Sequence, residues 1–223
     1  MKLALFDLDH TLLAGDSDVL WCDFLQDRGV LDRAVFAPRN AAMEAAYRAG
    51  SVSAFDFCAF YVGTLAGRRP ADWQPLRLDF LRQVVAPRIP AAARALVQHH
   101  REAGDLLLLT TATNRFITEL TAAELGFVHL LATECEVAAD GRFTGRLQGA
   151  PNMREGKLVR LHAWLAARGE SLAGFAASTA YSDSINDLPL LRAVTQPVVV
   201  NPDEKLAAEA HARGWPRLDL HAR

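Results

Sequence analysis

Five short apolar runs punctuate this chain, and each gives way abruptly to polar residues. They are "KLALFD" (2–7), "DLLLLTT" (105–111), "VHLLATE" (128–134), "GFAASTAYSD" (174–183) and "PVVVN" (197–201). A strand with one wet face alternates apolar and polar residues, whereas a strand covered on both faces is apolar throughout. The runs therefore predict buried strands of a parallel sheet. Helix-length segments lie between most of them, near 90–103, 114–126, 156–168 and 186–194. That alternation specifies an α/β fold of the Rossmann-like, doubly wound kind, with a mostly parallel sheet covered by helices.

One interval breaks the rhythm. Between the first run and residue 90 there is no strand candidate, only helix-like segments near 17–28, 31–48, 53–65 and 71–85, rich in rings such as Trp21, Phe24, Tyr61, Trp73 and Phe80. This predicts an all-helical insertion after the first strand, bounded by Pro87 and Pro90, with its rings serving mainly as packing. The expected division is a core of 1–14 and 88–223 and a helical unit of 15–87. In "EVAADGRFTGRL" the Asp140-Gly141 pair predicts a hairpin with a type I′ turn at the sheet edge.

Composition narrows the function. Lys and Arg number 24 against 26 Asp and Glu, for a net charge of −2, and no basic run occurs, so no nucleic-acid surface is expected. No apolar run approaches the roughly 20 residues of a membrane span. The start "MKLALF" meets Asp7 and Asp9 before a signal-peptide core could form, so a cytoplasmic location is expected. Cys22, Cys58 and Cys135 are odd in number and lack CxxC spacing, which disfavours a disulfide framework or a thiolate metal site. No pattern speaks to oligomeric state.

Parallel sheets bind ligands at the carboxyl ends of their strands. Those ends carry Asp7 and Asp9, then Thr110 and Thr111, then Asp183 with Asp187, while Lys157 opens the helix before the last of these strands. Carboxylates brought together repel unless a cation sits among them. Mg²⁺ suits such a set, because it takes oxygen ligands and is held by one or two carboxylates plus substrate phosphate. Asp7, Asp183 and a carbonyl near Asp9 would serve. One aspartate could then attack phosphorus, forming an aspartyl phosphate, while the other, with a raised pKa, handles the leaving-group proton. The Thr111 hydroxyl, the amides of a helix starting near Asn114, and Lys157 complete a phosphoryl cradle.

Each signal alone has a plainer reading. DxD is commonly a turn or helix cap, Thr111 an N-cap, Lys157 a solvated helix residue, and "SDSIND" a polar loop. Their joint occurrence, in this order and at strand ends, favours the phosphoryl-transfer reading.

At these residues the sequence resembles the haloacid dehalogenase-like (HAD) hydrolases. "DLDHT" matches the family's DxDxT, "LLLLTT" its apolar run ending in Thr or Ser, Lys157 its lysine, and "SDSIND" its GDxxND. The placement of the helical insertion resembles a C1 cap of the phosphoserine phosphatase-like branch, subfamily IB. The segments "AGDSDVLW" and "VNPDEKLAAEAHARGWP" resemble a group of small bacterial hydrolases variously described as phosphoserine or histidinol phosphatases.

The resemblance implies Asp7 as nucleophile and Asp9 as general acid and then base. It implies Thr111, Ala112 and Lys157 as phosphoryl-binding residues. Mg²⁺ would be held by Asp7, the Asp9 carbonyl and Asp183, with Asp187 as a further or water-mediated metal partner and Asn186 supporting the loop. Two departures stand out. Ser182 replaces the usual Gly before the metal aspartate, and Asp16 stands where phosphoserine phosphatases have the Glu that meets the serine amine. Their cap arginine has no unambiguous match among Arg48, Arg68 and Arg69. Asp16 and Asp18 are placed to meet a substrate amine, while a helix N-cap made with Ser17 is an equal reading for Asp16.

The function expected is Mg²⁺-dependent hydrolysis of a small, amine-bearing phosphomonoester such as phosphoserine or histidinol phosphate. The alternatives are a non-catalytic phosphate-ester binder on the same fold, or a phosphomutase. A receiver domain is disfavoured because its phosphorylated aspartate follows the third strand rather than the first.

Overall fold

Six parallel strands frame the protein, seen here in a computed structural model that describes residues 1–221, the side chain of Arg48 excepted. In chain order the strands are β1 (Leu3–Phe6), β2 (Leu106–Asn114), β3 (His129–Thr133), a separate antiparallel pair β4 (Cys135–Val137) and β5 (Phe143–Leu147), then β6 (Ser178–Ser182), β7 (Gln196–Val200) and β8 (Arg217–Leu218). The main sheet runs β3-β2-β1-β6-β7-β8, and all its pairings are parallel. The order reverses at β1, which makes the gap above β1 and β6 the topological switch point, where such sheets bind ligands. Register sets three strand ends level there, because Phe6 pairs with both Leu109 and Tyr181.

β1 explains why its run is uninterrupted. Leu3 and Leu5 pack with Leu108, Leu161, Leu190 and Val199 on one face, while Ala4 and Phe6 pack with Val97, Leu109 and Tyr181 on the other. All four β1 side chains are fully buried, so neither parity of the strand can be polar.

Helices α1 (Ser17–Asp27), α2 (Arg33–Ala49), α3 (Ala54–Val62) and α4 (Pro70–Phe80) fill the interval between β1 and residue 90, and no strand falls there. Their starts are set by side chains that accept from freed amides: Asp16 for α1, Asp32 for α2 and Ser53 for α3. α2 stops at Gly50, whose φ of 69° is a left-handed cap. Trp21, Phe24, Trp73 and Phe80 interlock between α1 and α4 and extend the core from the sheet into this layer. The remaining helices are α5 (Ala91–Glu102), α6 (Arg115–Glu124), α7 (Glu155–Ala167), α8 (Leu188–Ala193) and α9 (Glu204–Arg213). α5 and α6 cover the Phe6 face, and α7, α8 and α9 cover the Leu5 face, giving the doubly wound arrangement.

Three details differ from the sequence reading. The hairpin turn is not type I′: the Ala138 amide donates to the Arg142 carbonyl at 2.8 Å, and Gly141 alone has positive φ (82°), so the loop has three residues. Nor does the hairpin extend the sheet edge. The Phe143 amide donates to the Arg68 carbonyl, and a Cβ at Gly145 would lie 2.9 Å from that of Ala66, so β5 braces the helical interval instead. The segment 71–85 is α4 followed by one wide turn over Leu81–Val85. Among the described residues no helix is long and apolar enough to cross a membrane.

Candidate active site

After Phe6 the chain hooks out of the sheet. The Leu8 carbonyl accepts from the amides of Thr11, Leu12 and Leu13, and His10 takes a φ of 55°. The hook separates the jobs of Asp7 and Asp9, which in a straight strand would share a face.

Asp7 faces β6 and α7. Its Oδ1 accepts from Lys157 Nζ at 2.6 Å, and its Oδ2 lies 3.3 Å from Thr11 Oγ1. Lys157 also donates to Asp187 Oδ2 at 2.6 Å, which is further held by Ser182 Oγ at 2.7 Å. Burial opposes the charge on Lys157, but Asp187 and Asp7 outweigh it and hold the ammonium above its ordinary pKa. Burial pushes the Asp187 carboxyl up, against the pull of Lys157.

Asp9 faces the opposite way. Oδ1 accepts from the Ser17 amide at 2.7 Å, and Oδ2 accepts from Thr113 Oγ1 at 2.9 Å, with Thr111 Oγ1 at 3.4 Å. Burial and the nearby Asp16 charge raise its pKa, while the bonds from Ser17 and Thr113 restrain the rise. An aspartate that holds its proton more readily than usual is suited to acid catalysis.

Thr111, expected to touch the phosphoryl group, is fully buried beneath Asp9 and is not part of the cavity wall, whereas Ala112 and Thr113 are. Asp16 caps α1, accepting from the amides of Asp18 (2.9 Å) and Val19 (3.0 Å), and also borders the cavity. Asp18 is buried and bound by Thr113 Oγ1 at 3.1 Å and Asn114 Nδ2 at 3.4 Å, which ties α1 to the end of β2. Of the three arginines considered for the cap, the Arg68 guanidinium lies 4.6 Å over the Trp73 ring and the Arg69 amide donates to Asp72. Neither lines the cavity, and the Arg48 side chain lies outside the described residues.

The cavity over these groups measures about 710 Å³. Its floor includes Asp7, Asp9, Lys157 and Asp183, and its upper wall carries Asp16, Asp18 and Glu44 beside Tyr47, Phe57 and Tyr61.

For a divalent cation the relevant pair is Asp7 and Asp183. Both point at one hydroxyl: Thr11 Oγ1 is 2.9 Å from Asp183 Oδ1 as well as 3.3 Å from Asp7 Oδ2. Burial, then repulsion from Asp7, drives the Asp183 pKa well above its usual value: Lys157 compensates Asp7, but among the described residues no cation pairs with Asp183. Hard oxygen donors with an uncompensated charge fit Mg²⁺, which needs one or two carboxylates and keeps several waters. Asp9 turns its carboxylate to Ser17 and Thr113, while Asp187, which shares Lys157 with Asp7, lines the same cavity. Among the described residues no group of three or more Asp, Glu, His and Cys side chains is arranged as a complete metal cage.

Sequence reasoning missed Thr113 and the bridging part of Thr11. The available signals were the period of two from Thr111 and the threonine that ends "DLDHT".

A switch-point cavity with paired strand-end aspartates and a buried lysine defines a phosphoryl-transfer class of α/β enzyme, and comparison with known proteins gives the family. The profile of the haloacid dehalogenase-like hydrolases matches residues 4–192, and the chain belongs to that family. It is 40% identical to a histidinol-phosphatase of Neisseria meningitidis serogroup C (strain 8013), over 98% of this chain and 99% of that protein. It is 34% identical to the phosphoserine phosphatase SerB1 of Mycobacterium tuberculosis (strain ATCC 25618 / H37Rv), over 97% of this chain and 70% of that one. A crystal structure of a protein of unknown function from Bordetella pertussis Tohama I superposes with a TM-score of 0.93 at 45% identity, covering 98% of both chains.

Proposed function

We infer that this chain is a phosphatase that hydrolyses histidinol phosphate, an amine-bearing phosphomonoester, with Asp7 as nucleophile. The observation that carries the catalytic part is the division of the two aspartates. Asp7 is paired with Lys157, while Asp9, two residues on, has a raised pKa and a separate set of partners. Identity of 40% over nearly the whole of both chains supports the substrate. So does the wall of the cavity, where Asp16, Asp18 and Glu44 suit an ammonium group and Tyr47, Phe57 and Tyr61 suit an imidazole.

In this reading an Asp7 carboxylate oxygen bonds to phosphorus as the bond from phosphorus to the alcohol oxygen breaks, and Asp9 delivers its proton to that oxygen. Asp9, now ionised, takes a proton from water as the water oxygen attacks the aspartyl phosphate, which releases inorganic phosphate and restores Asp7. Lys157 offsets charge on the phosphoryl oxygens. Asp7, Asp183 and the Asp9 carbonyl would hold Mg²⁺, which when bound draws charge from the phosphoryl oxygens. Residues 15–87 act as a cap over the core of 1–14 and 88–223, excluding water during the first step.

Phosphoserine is the second candidate, because of the 34% relationship to a phosphoserine phosphatase. Its carboxylate calls for a cation in the cap, and no described arginine within 15–87 lines the cavity.

Steady-state assays of histidinol phosphate, phosphoserine and sugar phosphates, with Mg²⁺ or a chelator, test the reading. Histidinol phosphate should show the highest kcat/KM, the chelator should abolish turnover, and Asp7→Asn should lower kcat by about three orders of magnitude or more. A panel led by phosphoserine would overturn the substrate, and an active Asp7→Asn enzyme would overturn the nucleophile.

A further inference from the structure

Arg154 is held in a backbone conformation that arginine avoids, with φ 54° and ψ −127°. The Met153 carbonyl accepts from the Gly156 amide at 2.9 Å, so 153–156 form a tight turn with Arg154 at its second position. These angles are those of a type II′ turn, which favours glycine there. The turn packs closely on the preceding chain, since a Cβ on Gly156 would lie 2.4 Å from the Pro151 carbonyl oxygen. Backbone strain of this kind persists where the surroundings over-determine it, and it concentrates at ligand sites.

The turn puts Arg154 in the wall of the cavity, three residues ahead of Lys157 at the start of α7. Lys157 is paired with two carboxylates. Among the described residues no carboxylate forms an ion pair with Arg154; its Nε donates to Asn186 Oδ1 at 3.0 Å. Asn186 Nδ2 donates in turn to Tyr47 Oη on α2 at 2.8 Å. The Asn186 bond fixes one edge of the guanidinium and leaves its other donors for a ligand. A planar fork of such donors matches the oxygens of a phosphate.

We propose that Arg154 binds the phosphoryl group of the substrate as a second cation beside Lys157, and that the strained turn exists to aim it there. The proposal rests on the reading of this cavity as a phosphomonoester site. It also makes the phosphoryl group part of a chain of contacts running through Asn186 to the helical cap.

The test is calorimetric titration of inorganic phosphate, with Mg²⁺ present, into the unaltered protein, Arg154→Gly and Arg154→Lys, each also melted thermally. Arg154→Gly should fold, with a midpoint no lower than that of the unaltered protein, because glycine relieves the turn. It should bind phosphate at least about tenfold more weakly, the worth of a lost charge-assisted contact. Arg154→Lys should recover part of the affinity and none of the stability. Equal phosphate affinity in Arg154→Gly, or failure of that variant to fold, overturns the proposal and leaves Arg154 a tether for Asn186. Absence of phosphate binding by the unaltered protein would overturn the phosphomonoester reading itself, so the two failures are distinguishable.

Discussion

Asp9 and Asp18 share one hydroxyl. Thr113 Oγ1 lies 2.9 Å from an oxygen of the first and 3.1 Å from an oxygen of the second, and it has a single proton to donate. Asp18 is the more perturbed by its setting: burial first, then repulsion from Asp16 and Asp9, drives its pKa well above the ordinary value of 3.8. The folded state therefore holds a proton at Asp18 over a range where the unfolded chain has lost it, and stability falls as pH rises through that window. Replacement of Asp18 by Asn removes this penalty. Thermal melts from about pH 5 to about pH 8 should show Asp18→Asn gaining on the unaltered protein as pH rises; a constant difference would contradict the assignment. At this scale Asp7, Asp9 and Asp183 were visible because a charge at the end of an apolar run is conspicuous, and Lys157 became visible only through its order in the chain relative to them. Thr113 and Arg154 were not, because a threonine within a strand and an arginine before a helix are ordinary until the backbone path is known.

The elements that carry the site are short and their joints are tight. α7 is launched from the 153–156 turn, which sets both Arg154 and Lys157, and Gly156 is its tightest point. Gly156→Ala should cost about 1–3 kcal/mol by overpacking and weaken phosphate binding together with stability, a pairing that denaturant melts and titrations would show. β1 and the start of β2 were legible because burial on both faces removes polar residues from both parities, while β3, β6 and β7 showed as short apolar or small-residue runs, β6 burying Ser178, Thr179 and Ser182. β8 was not, since two residues, one exposed, make no run. The hairpin was seen but its turn misjudged: Asp-Gly suits a type I′ turn, yet Gly145 packed on Ala66 and the Phe143 pairing with 67–68 dictate a three-residue loop.

Across the whole molecule, the helices of 15–87 join the rest of the chain through the shared apolar core around Trp21, Trp73 and Phe80 and through directed contacts that include Asp18 with Thr113 and Asn114, Arg77 with Glu119, β5 with 66–68, and Tyr47 with Asn186. The last of these joins two residues that line the cavity. Tyr47→Phe deletes one hydrogen bond worth about 1 kcal/mol; steady-state kinetics should show KM rising about fivefold with the melting midpoint nearly unchanged. An unaltered KM would mean that the contact does not govern closure. The insertion was legible as a stretch without strand signals, whereas its contacts with the core were not, because they join residues up to 139 positions apart. The central claim concerns Asp7, and rapid-quench turnover of phosphate-labelled histidinol phosphate followed by peptide mapping tests it most directly. Acid-stable, hydroxylamine-labile label should appear on the peptide containing Asp7 and vanish in Asp7→Asn; turnover with no label on that peptide would contradict the account.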